Sequence, residues 1–332
     1  MHNQIETRVR YIAATPEDKG QRLDNFLIHR LKGVPKSHVY RMIRKGEIRI
    51  NSKRIKPLYK IATGDQIRIP PVRSTERQQT LINENLNWLS CCICFEDKDL
   101  LVINKPTGLA VHSGSGVKYG LIEYLRTWSR NQHLELVHRI DRYTSGCVLL
   151  VKRRSLLKTL QAIWHTDQVQ KVYLALVAGK WPETTELVDM PLTATQLHGE
   201  KYIKADQQGQ SAQTAFMLQD FFPGQHFFSE QHIYPRQRIK PPAQDLSLIQ
   251  ARLITGRTHQ IRVHCSNTGH PVIGDTKYGN QKANRAMAAT GYTSMFLHAY
   301  KLTFTHPATE EIIKVTAPLH ADEQKLLDSL YG

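Results

Sequence analysis

The chain has 332 residues, 40% of them hydrophobic, which is long enough for two domains and excludes a wholly disordered protein. Lys and Arg number 45 against 29 Asp and Glu, a formal charge of +16. A phosphate backbone is the commonest partner of such a surface, and an anionic membrane is the alternative. Since no apolar stretch approaches ~18 residues, a membrane-spanning helix is not expected, and the N-terminus lacks the apolar core of a signal peptide.

Cysteine usage and the glycine pattern favour a chain without disulfides, metals or cofactors. Five cysteines are an odd number, which disfavours a disulfide framework and fits a reducing cytoplasm. Cys91, Cys92 and Cys94 cluster, but their spacing is not C-x-x-C and no His stands near. We therefore expect them to be buried in a strand rather than bound to a metal. The glycines do not match a dinucleotide-binding loop.

The first elements in chain order form a small basic module. Apolar residues at helical spacing predict a helix over 21–31 that ends before Gly33. Ser37 is a suitable N-cap for a second helix, which Gly46 ends. Alternating residues and turn signals then predict a hairpin. Its strands are expected at 47–50 and 66–69.

Between residues 36 and 60 the module carries nine basic residues and one acid, Glu47. A run of like charge is usually a solvated face, but a nearly single-signed run on two helices and a hairpin favours contact with RNA or DNA. The stretch resembles the αL RNA-binding domain of a small-subunit ribosomal protein and of several RNA-modifying enzymes, which implies recognition of structured RNA. The candidate RNA contacts are Lys36, Arg41, Arg44, Lys45, Arg49, Lys53 and Arg54; Lys56 and Lys60 complete the nine.

Beyond this module, strands outnumber helices and do not alternate with them regularly, so the predicted fold class is α+β. The predicted domains are an extension at 1–20, the αL domain at 21–71, a linker at 72–90 and a larger domain at 91–332. Within the larger domain, 221–245 is predicted to be an exposed insertion loop, because Pro241-Pro242 is incompatible with a central strand. Strands are predicted at 100–104, 170–177, 212–218, 248–254, 295–304 and 311–315, and helices at 121–128, 156–163 and 321–330.

The larger domain is organised around a polar loop that carries Asp141 between two apolar runs, which are predicted to be buried strands. Arg139, Arg142 and His138 flank this carboxylate. A carboxylate among cations stays ionised at neutral pH, which suits a nucleophile or base better than a general acid. Taken alone, the stretch is ordinary turn chemistry, so distant residues must complete a site.

Two distant residues are candidates to complete it. Arg262, in a segment predicted to be helical with Thr258 on the same face, is by residue type a surface arginine, but a guanidinium also binds a carboxylate with two parallel hydrogen bonds. Tyr173, in an apolar strand, is by residue type a core tyrosine, but its ring is also suited to stacking on a flat base.

These segments together resemble the RluA-type pseudouridine synthases. His138-Arg139-Ile140-Asp141-Arg142-Tyr143-Thr144-Ser145-Gly146 is similar to the H-R-L-D-x-x-T-S-G signature of that family, with Ile140 in place of Leu. Lys171-x-Tyr173 is similar to its tyrosine segment, and Thr255-Gly256-Arg257-Thr258-His259-Gln260-Ile261-Arg262 to its arginine segment. The resemblance implies a catalytic domain built on a mixed, mainly antiparallel sheet with flanking helices, and it is strongest for members acting on large-subunit ribosomal RNA.

The resemblance implies a reaction in which an everted uracil leaves C1′ of its sugar, turns and rejoins through C5. Asp141 would act on the sugar or the base, Tyr173 would stack on the uracil, Arg262 would hold Asp141, and Arg139 would fill the vacated space. Nothing is gained or lost, so no cofactor or metal is expected. A monomer in the cytoplasm, with ribosomal RNA as partner, is the expected state.

Three other functions remain open from the sequence. The first is a non-catalytic RNA-binding or ribosome-assembly protein, and the second is a sister synthase acting on other ribosomal or transfer RNA uridines. The third is a metal-dependent nuclease, against which the spacing of His and carboxylate residues offers no ligand set.

Overall fold

The structure, a computed structural model, describes residues 9–31, 34–72, 85–114, 117–197, 200–224 and 244–331. The chain divides into two compact units, 1–85 and 86–332. The predicted helix stop at Gly33 and most of the predicted linker and insertion loop lie outside the described residues. Within the described part of the chain, no helix is long and apolar enough to cross a membrane.

The first unit packs two helices on a four-stranded antiparallel sheet of order β1-β4-β2-β3. The second helix ends at Gly46, whose φ of 70° is the left-handed conformation expected of a C-cap glycine. It begins at Lys36, one residue before the predicted cap Ser37. The elements are β1 (Arg10–Ala13), α1 (Leu23–Arg30), α2 (Lys36–Lys45), β2 (Arg49–Ile50), β3 (Lys53–Arg54) and β4 (Gln66–Ile69).

The predicted boundary of this unit was wrong at its N-terminal side. The stretch assigned to an extension contains β1, which pairs along its whole length with β4. Ala14 belongs to the same apolar core as Leu23, Phe26 and Ile67. Pairing between segments more than 50 residues apart carries no local sequence signal, which explains the error.

The second unit is built on a mixed, mainly antiparallel sheet, which confirms the predicted α+β class. In the described residues the sheet has ten strands, eight of them in the order β10-β13-β14-β9-β15-β8-β6-β5. β15 and β8 form a parallel pair. The strands are β5 (Ile93–Glu96), β6 (Leu100–Lys105), β7 (Glu135–Leu136), β8 (Ser145–Val151), β9 (Val169–Ala178), β10 (Glu186–Asp189), β13 (Gln213–Phe222), β14 (Leu246–Leu253), β15 (Leu297–Thr305) and β16 (Ile312–Thr316).

A separate two-stranded hairpin, five α-helices and two short 3-10 helices complete this unit in the described part of the chain. The hairpin lies between β10 and β13 in the sequence. Its strands are β11 (Leu192–Leu197) and β12 (Glu200–Ala205), and the helices are α3 (Leu121–Trp128), α4 (Leu157–Ile163), α5 (Gln260–Asn267), α6 (Gln281–Ala289) and α7 (Ala321–Tyr331).

The central strand β9 shows how the sheet separates two cores. Its residues alternate between faces, as the pleat requires. Ala175 and Val177 pack in a cluster with Ile261 of α5. Leu176 and Ala178 pack in another cluster with residues of α6 and α7. Tyr173 packs against the α5 cluster, so the face of β9 turned towards α5 carries the candidate site.

Two further expectations differ from the structure. Cys91 and Cys92 lie in a short 3-10 helix, with Cys91 exposed, so these cysteines are not all buried in a strand as predicted. Phe221 and Phe222, assigned to the insertion loop, belong to β13 and pair with β14. Polar residues follow these two phenylalanines, so the sequence alone does not mark where the long strand ends.

Candidate active site

The three candidate catalytic residues line one cavity of about 270 Å³, although they come from three separate segments of the chain. Asp141 lies in the loop between β7 and β8, Tyr173 on β9 and Arg262 on α5. Arg139 also lines the cavity and is exposed. The Asp141 side chain is 23% exposed, so the cavity wall holds a carboxylate that solvent or a ligand can reach.

The loop that carries Asp141 is fixed by buried contacts beneath it. The ammonium group of Lys105, fully buried at the end of β6, donates to the carbonyl oxygens of Pro106, Leu109 and Arg142 at 2.8, 2.8 and 3.1 Å. Burial lowers the pKa of Lys105 to about 7, but three acceptors match the three N–H groups of the charged form. Lys105 therefore ties the Asp141 loop to the turn that follows β6.

Gly146 allows the start of β8, directly after this loop, to lie close to β15. Its φ is 100°, in the left-handed region that disfavours other residues. A Cβ atom there would collide with the backbone of Ala299, which pairs with Gly146 across the parallel strands. The sequence Thr-Ser-Gly after Asp141 is thus explained by packing against β15 as well as by turn formation.

Arg262 contacts Asp141 but binds another carboxylate more closely, which sequence reasoning missed. Its Nη1 donates to Oδ2 of Asp141 at 3.2 Å. Its Nε and Nη2 donate to the two oxygens of Asp275 at 2.7 and 2.8 Å. The two parallel hydrogen bonds expected for Asp141 are therefore made with Asp275, which is buried. Asp275 follows Gly274, whose φ of 76° marks a turn.

The hydrogen bonds of Asp275 explain its charge state. Burial raises the pKa of this carboxyl, but the hydrogen bonds and charge of Arg262, with the backbone N–H groups of Tyr278 and Lys277, outweigh burial and lower the pKa below its usual value. Asp275 is thus ionised at neutral pH. It holds the guanidinium in place, and the guanidinium in turn contacts Asp141.

His259 is a second neighbour of Asp141, with Nε2 at 3.7 Å from Oδ2. Burial lowers its pKa, so the ring is neutral at pH 7. Its Nδ1 lies 2.8 Å from the hydroxyl of Tyr278, which already accepts a hydrogen bond from the N–H of Ile203. The hydroxyl can therefore donate to Nδ1, which leaves the ring proton on Nε2, facing Asp141.

The cations expected around Asp141 from the sequence are not the ones that contact it. His138 accepts a hydrogen bond from the N–H of Leu149, and burial lowers its pKa to about 3, so it is neutral. The guanidinium of Arg142 donates to the carbonyl oxygen of Gly108 at 2.8 Å. Among the described residues, Asp141 forms an ion pair with Arg262, and the neutral ring of His259 lies within 3.7 Å of the same carboxylate.

Tyr173 presents a half-buried phenol to the same cavity. Burial, and then the negative charge of Asp141, raise the pKa of its hydroxyl, so the phenol is neutral at pH 7. Asp141 is thus close enough to affect Tyr173 electrostatically. A neutral aromatic ring beside an anchored carboxylate can hold a flat heterocycle against a charged group.

The candidate RNA contacts of the first unit lie on its surface. All nine basic residues between positions 36 and 60 are exposed. Within the described residues, none of the nine forms an ion pair with a carboxylate, whereas Arg22 of the same unit pairs with buried Asp24. The exposed face therefore keeps its positive charge free for an anionic partner.

Two family models match the chain, one in each unit. The model described as RNA pseudouridylate synthase matches residues 99–267, and the S4 domain model matches residues 21–67. Three similar proteins carry the name ribosomal large subunit pseudouridine synthase C. The one from Pasteurella multocida is 42% identical over 98% of this chain and 95% of its own length. The one from Yersinia pestis is 42% identical over 94% of this chain and 92% of its own length. The one from Escherichia coli K12 is 41% identical over 97% of this chain and 97% of its own length.

Solved structures share the fold of the second unit. Human RNA Pseudouridylate Synthase Domain Containing 4 matches with a TM-score of 0.54 and 24% identity, over 74% of this chain and 95% of the human chain. Human RNA Pseudouridylate Synthase Domain Containing 1 matches with a TM-score of 0.53 and 23% identity, over 72% and 94%. At this level of identity the likeness concerns the fold alone.

Proposed function

The chain belongs to the RNA pseudouridylate synthase family, and we propose that it converts particular uridines of large-subunit ribosomal RNA into pseudouridine. The family follows from the matched model and from relatives about 42% identical over nearly the whole chain. The substrate follows from the names of those relatives, together with a first unit that matches the S4 domain and presents an uncompensated basic face.

The observation that carries the proposed chemistry is the anchored carboxylate of Asp141. The ion pair with Arg262 and the contact with the neutral ring of His259 both involve Oδ2. Arg262 is itself fixed by Asp275, so Oδ2 meets a guanidinium that is held before any substrate binds. Pre-positioned charge of this kind costs no reorganisation during the reaction.

The reaction breaks the bond between C1′ and N1, forms a bond between C1′ and C5, moves a proton from C5 and returns one to N1. Asp141 acts on the sugar carbon or on the base in this sequence. Tyr173 packs against the uracil plane and keeps it near the sugar while the base turns. Arg139, exposed at the cavity wall, occupies the space that the everted base leaves in the RNA stack, where unstacking requires a few kcal/mol.

The first unit would bring the RNA to this cavity. Its exposed basic residues suit phosphate contacts, which fix position without reading sequence. We further propose that the protein acts as a monomer in the cytoplasm, where ribosomal RNA is modified and where five free thiols are stable. Size-exclusion chromatography with light scattering tests the first part.

Substitution of Asp141 by Asn tests the proposed chemistry. Asn keeps the shape of the side chain but removes the charge, so we expect no detectable pseudouridine while RNA affinity stays within about threefold of wild type. Mapping pseudouridines in ribosomal RNA from cells that carry only the Asp141→Asn protein gives the readout, and wild-type complementation is the control. Pseudouridine formation at the wild-type rate by this variant would refute the role of Asp141. If pseudouridine were lost from transfer RNA alone, the proposal that large-subunit ribosomal RNA is the substrate would be refuted.

A further inference from the structure

A buried lysine in the wall of the cavity lacks a compensating anion. Lys171 is 6% exposed and lies on β9, two residues before Tyr173. Its Nζ donates to the carbonyl oxygen of Trp164 at 2.8 Å and lies 5.6 Å from the centre of the Trp164 ring. In the described parts of the chain it forms no ion pair. Burying a cation without an anion is unfavourable, and burial accordingly lowers the pKa of Lys171.

The other cations of the second unit that are equally buried have their partners. Arg262 is bound by Asp275 and contacts Asp141. Lys105 has three carbonyl oxygens around its ammonium group. Lys171 has one carbonyl and an aromatic face, so part of its hydrogen-bonding capacity and all of its charge remain available to a ligand in the cavity.

More positive charge surrounds Lys171. Burial and then the charges of Lys171 and Arg257 lower the pKa of His165, which places both cations within electrostatic reach of His165. Arg257 lines the cavity, is exposed, and is oriented by a hydrogen bond from its Nε to the carbonyl oxygen of Ser211 at 3.0 Å. Lys171 and Arg257 add positive charge to the cavity wall, whereas Asp141 shares the single positive charge of Arg262 with Asp275.

The position of Lys171 relative to Tyr173 fits a nucleotide. Residues two apart on a strand share a face and are about 7 Å apart along it. This inference rests on the proposed function, in which the uracil packs against Tyr173. A phosphate group of the same nucleotide, which lies at a similar distance from the base, would then be near Lys171. We propose that Lys171, with Arg257 of the same cavity wall, binds a backbone phosphate adjacent to the everted uridine and so holds the nucleotide in the cavity.

A charge-neutral phosphate in the RNA tests this contact directly. The probe is a ribosomal RNA fragment whose uridine the wild-type enzyme modifies, made with a methylphosphonate on the 5′ or the 3′ side of that uridine. Binding is measured in the Asp141→Asn protein, so that no turnover occurs. The second change is Lys171→Met, which keeps the length of the side chain and removes its charge. Lys314→Met, at an exposed lysine of β16 outside the cavity wall, controls for the loss of one positive charge.

We expect Lys171→Met to weaken binding of the unmodified fragment at least about tenfold, as for loss of a hydrogen bond between charged groups. One of the two methylphosphonates should weaken binding by a similar factor, and the combination should weaken it no further than either change alone. Lys314→Met should change affinity less than about threefold. The proposal would be overturned if Lys171→Met bound the unmodified fragment as tightly as the protein with Lys171. It would also be overturned if, for both methylphosphonates, the loss of affinity in the combination equalled the product of the two separate losses.

One measurement distinguishes phosphate binding by Lys171 from a purely structural role of this residue, and a second distinguishes failure of this proposal from failure of the proposed function. The free Lys171→Met protein should melt at or above the wild-type temperature, because an uncompensated buried cation is removed; a strongly lowered melting temperature would overturn the proposal by making Lys171 structural. If no ribosomal RNA fragment is modified by the wild-type enzyme, the proposed substrate fails, which is seen before any variant is compared.

Discussion

Substitution of Asp275 by Asn should show that the buried ion pair behind the cavity stabilises the fold and positions the catalytic group. The Asp275 side chain is 1% exposed and accepts two hydrogen bonds from Arg262 and two from backbone N–H groups. Asn keeps the shape but removes the charge, so Arg262 retains only the partly exposed Asp141 as an anion. Breaking a buried pair typically costs about 3–5 kcal/mol, and we expect the lower end because Asn still accepts some of these bonds.

For a unit of the size of residues 86–332, a loss of about 3 kcal/mol lowers the melting temperature by about 6–12 °C. Differential scanning calorimetry measures this loss, and Asp141→Asn is the matched control. Asp141 is 23% exposed and accepts one hydrogen bond from Arg262 at 3.2 Å, so its neutralisation should cost less than about 1 kcal/mol. Equal destabilisation by both variants, or a wild-type melting temperature for Asp275→Asn, would refute this division of roles.

The pH dependence gives an independent check with a defined sign. Because the folded-state pKa of Asp275 lies below its unfolded value, its contribution to stability is complete above about pH 4 and disappears as the pH falls through the folded-state pKa. The difference in stability between wild type and Asp275→Asn should therefore be constant from pH 5 to 8 and shrink below pH 4. A difference that grows on acidification would contradict the assigned charge.

Two more variants test other parts of the molecule. Arg41 and Arg44 lie on the exposed face of α2, and replacing both by Gln should weaken RNA binding without changing the melting curve. The slope of the logarithm of the binding constant against the logarithm of the salt concentration should fall in magnitude by about two, which filter binding at several salt concentrations measures. Gly146→Ala should destabilise the second unit by several kcal/mol, because its Cβ would collide with the backbone of Ala299 at a positive φ, and a variant that melts like wild type would contradict this packing.

Elements with strong local signals were predicted well from the sequence. The helix over 121–128 and the strand over 66–69 have the predicted bounds, because apolar periodicity and turn residues mark both. α6 was missed although Asn280 caps it, with its side chain accepting from the N–H groups of Lys282 and Ala283. Met287 is the one large apolar residue of that helix and the rest of its apolar residues are alanines, so large apolar residues do not mark its buried face, and the cap was the signal that could have revealed it.

The sequence indicated which residues share the cavity, but not which hydrogen bonds they form with one another. The contact between Asp141 and Arg262 joins residues 121 positions apart. Local patterns fix neither that contact nor the choice of Asp275 as the closer partner of the guanidinium. Resemblance to a family named the participants, whereas the neutral state of His138 and the missing anion of Lys171 depend on burial, which only the folded chain defines.

The hydrogen bonds of Arg262 also explain how the carboxylate of Asp141 can be held in place and still be available to react. A guanidinium that gave Asp141 two parallel hydrogen bonds would occupy both of its oxygens and reduce its nucleophilicity and basicity. Here Asp275 takes the two parallel bonds, and Arg262 reaches Asp141 through Nη1 at Oδ2 alone. Among the described residues, Oδ1 accepts no hydrogen bond, so it remains available to the sugar or the base. Given the proposed function, Asp275 would limit how strongly Arg262 holds Asp141, and for this reason Asp275→Asn should lower turnover more than it lowers RNA affinity.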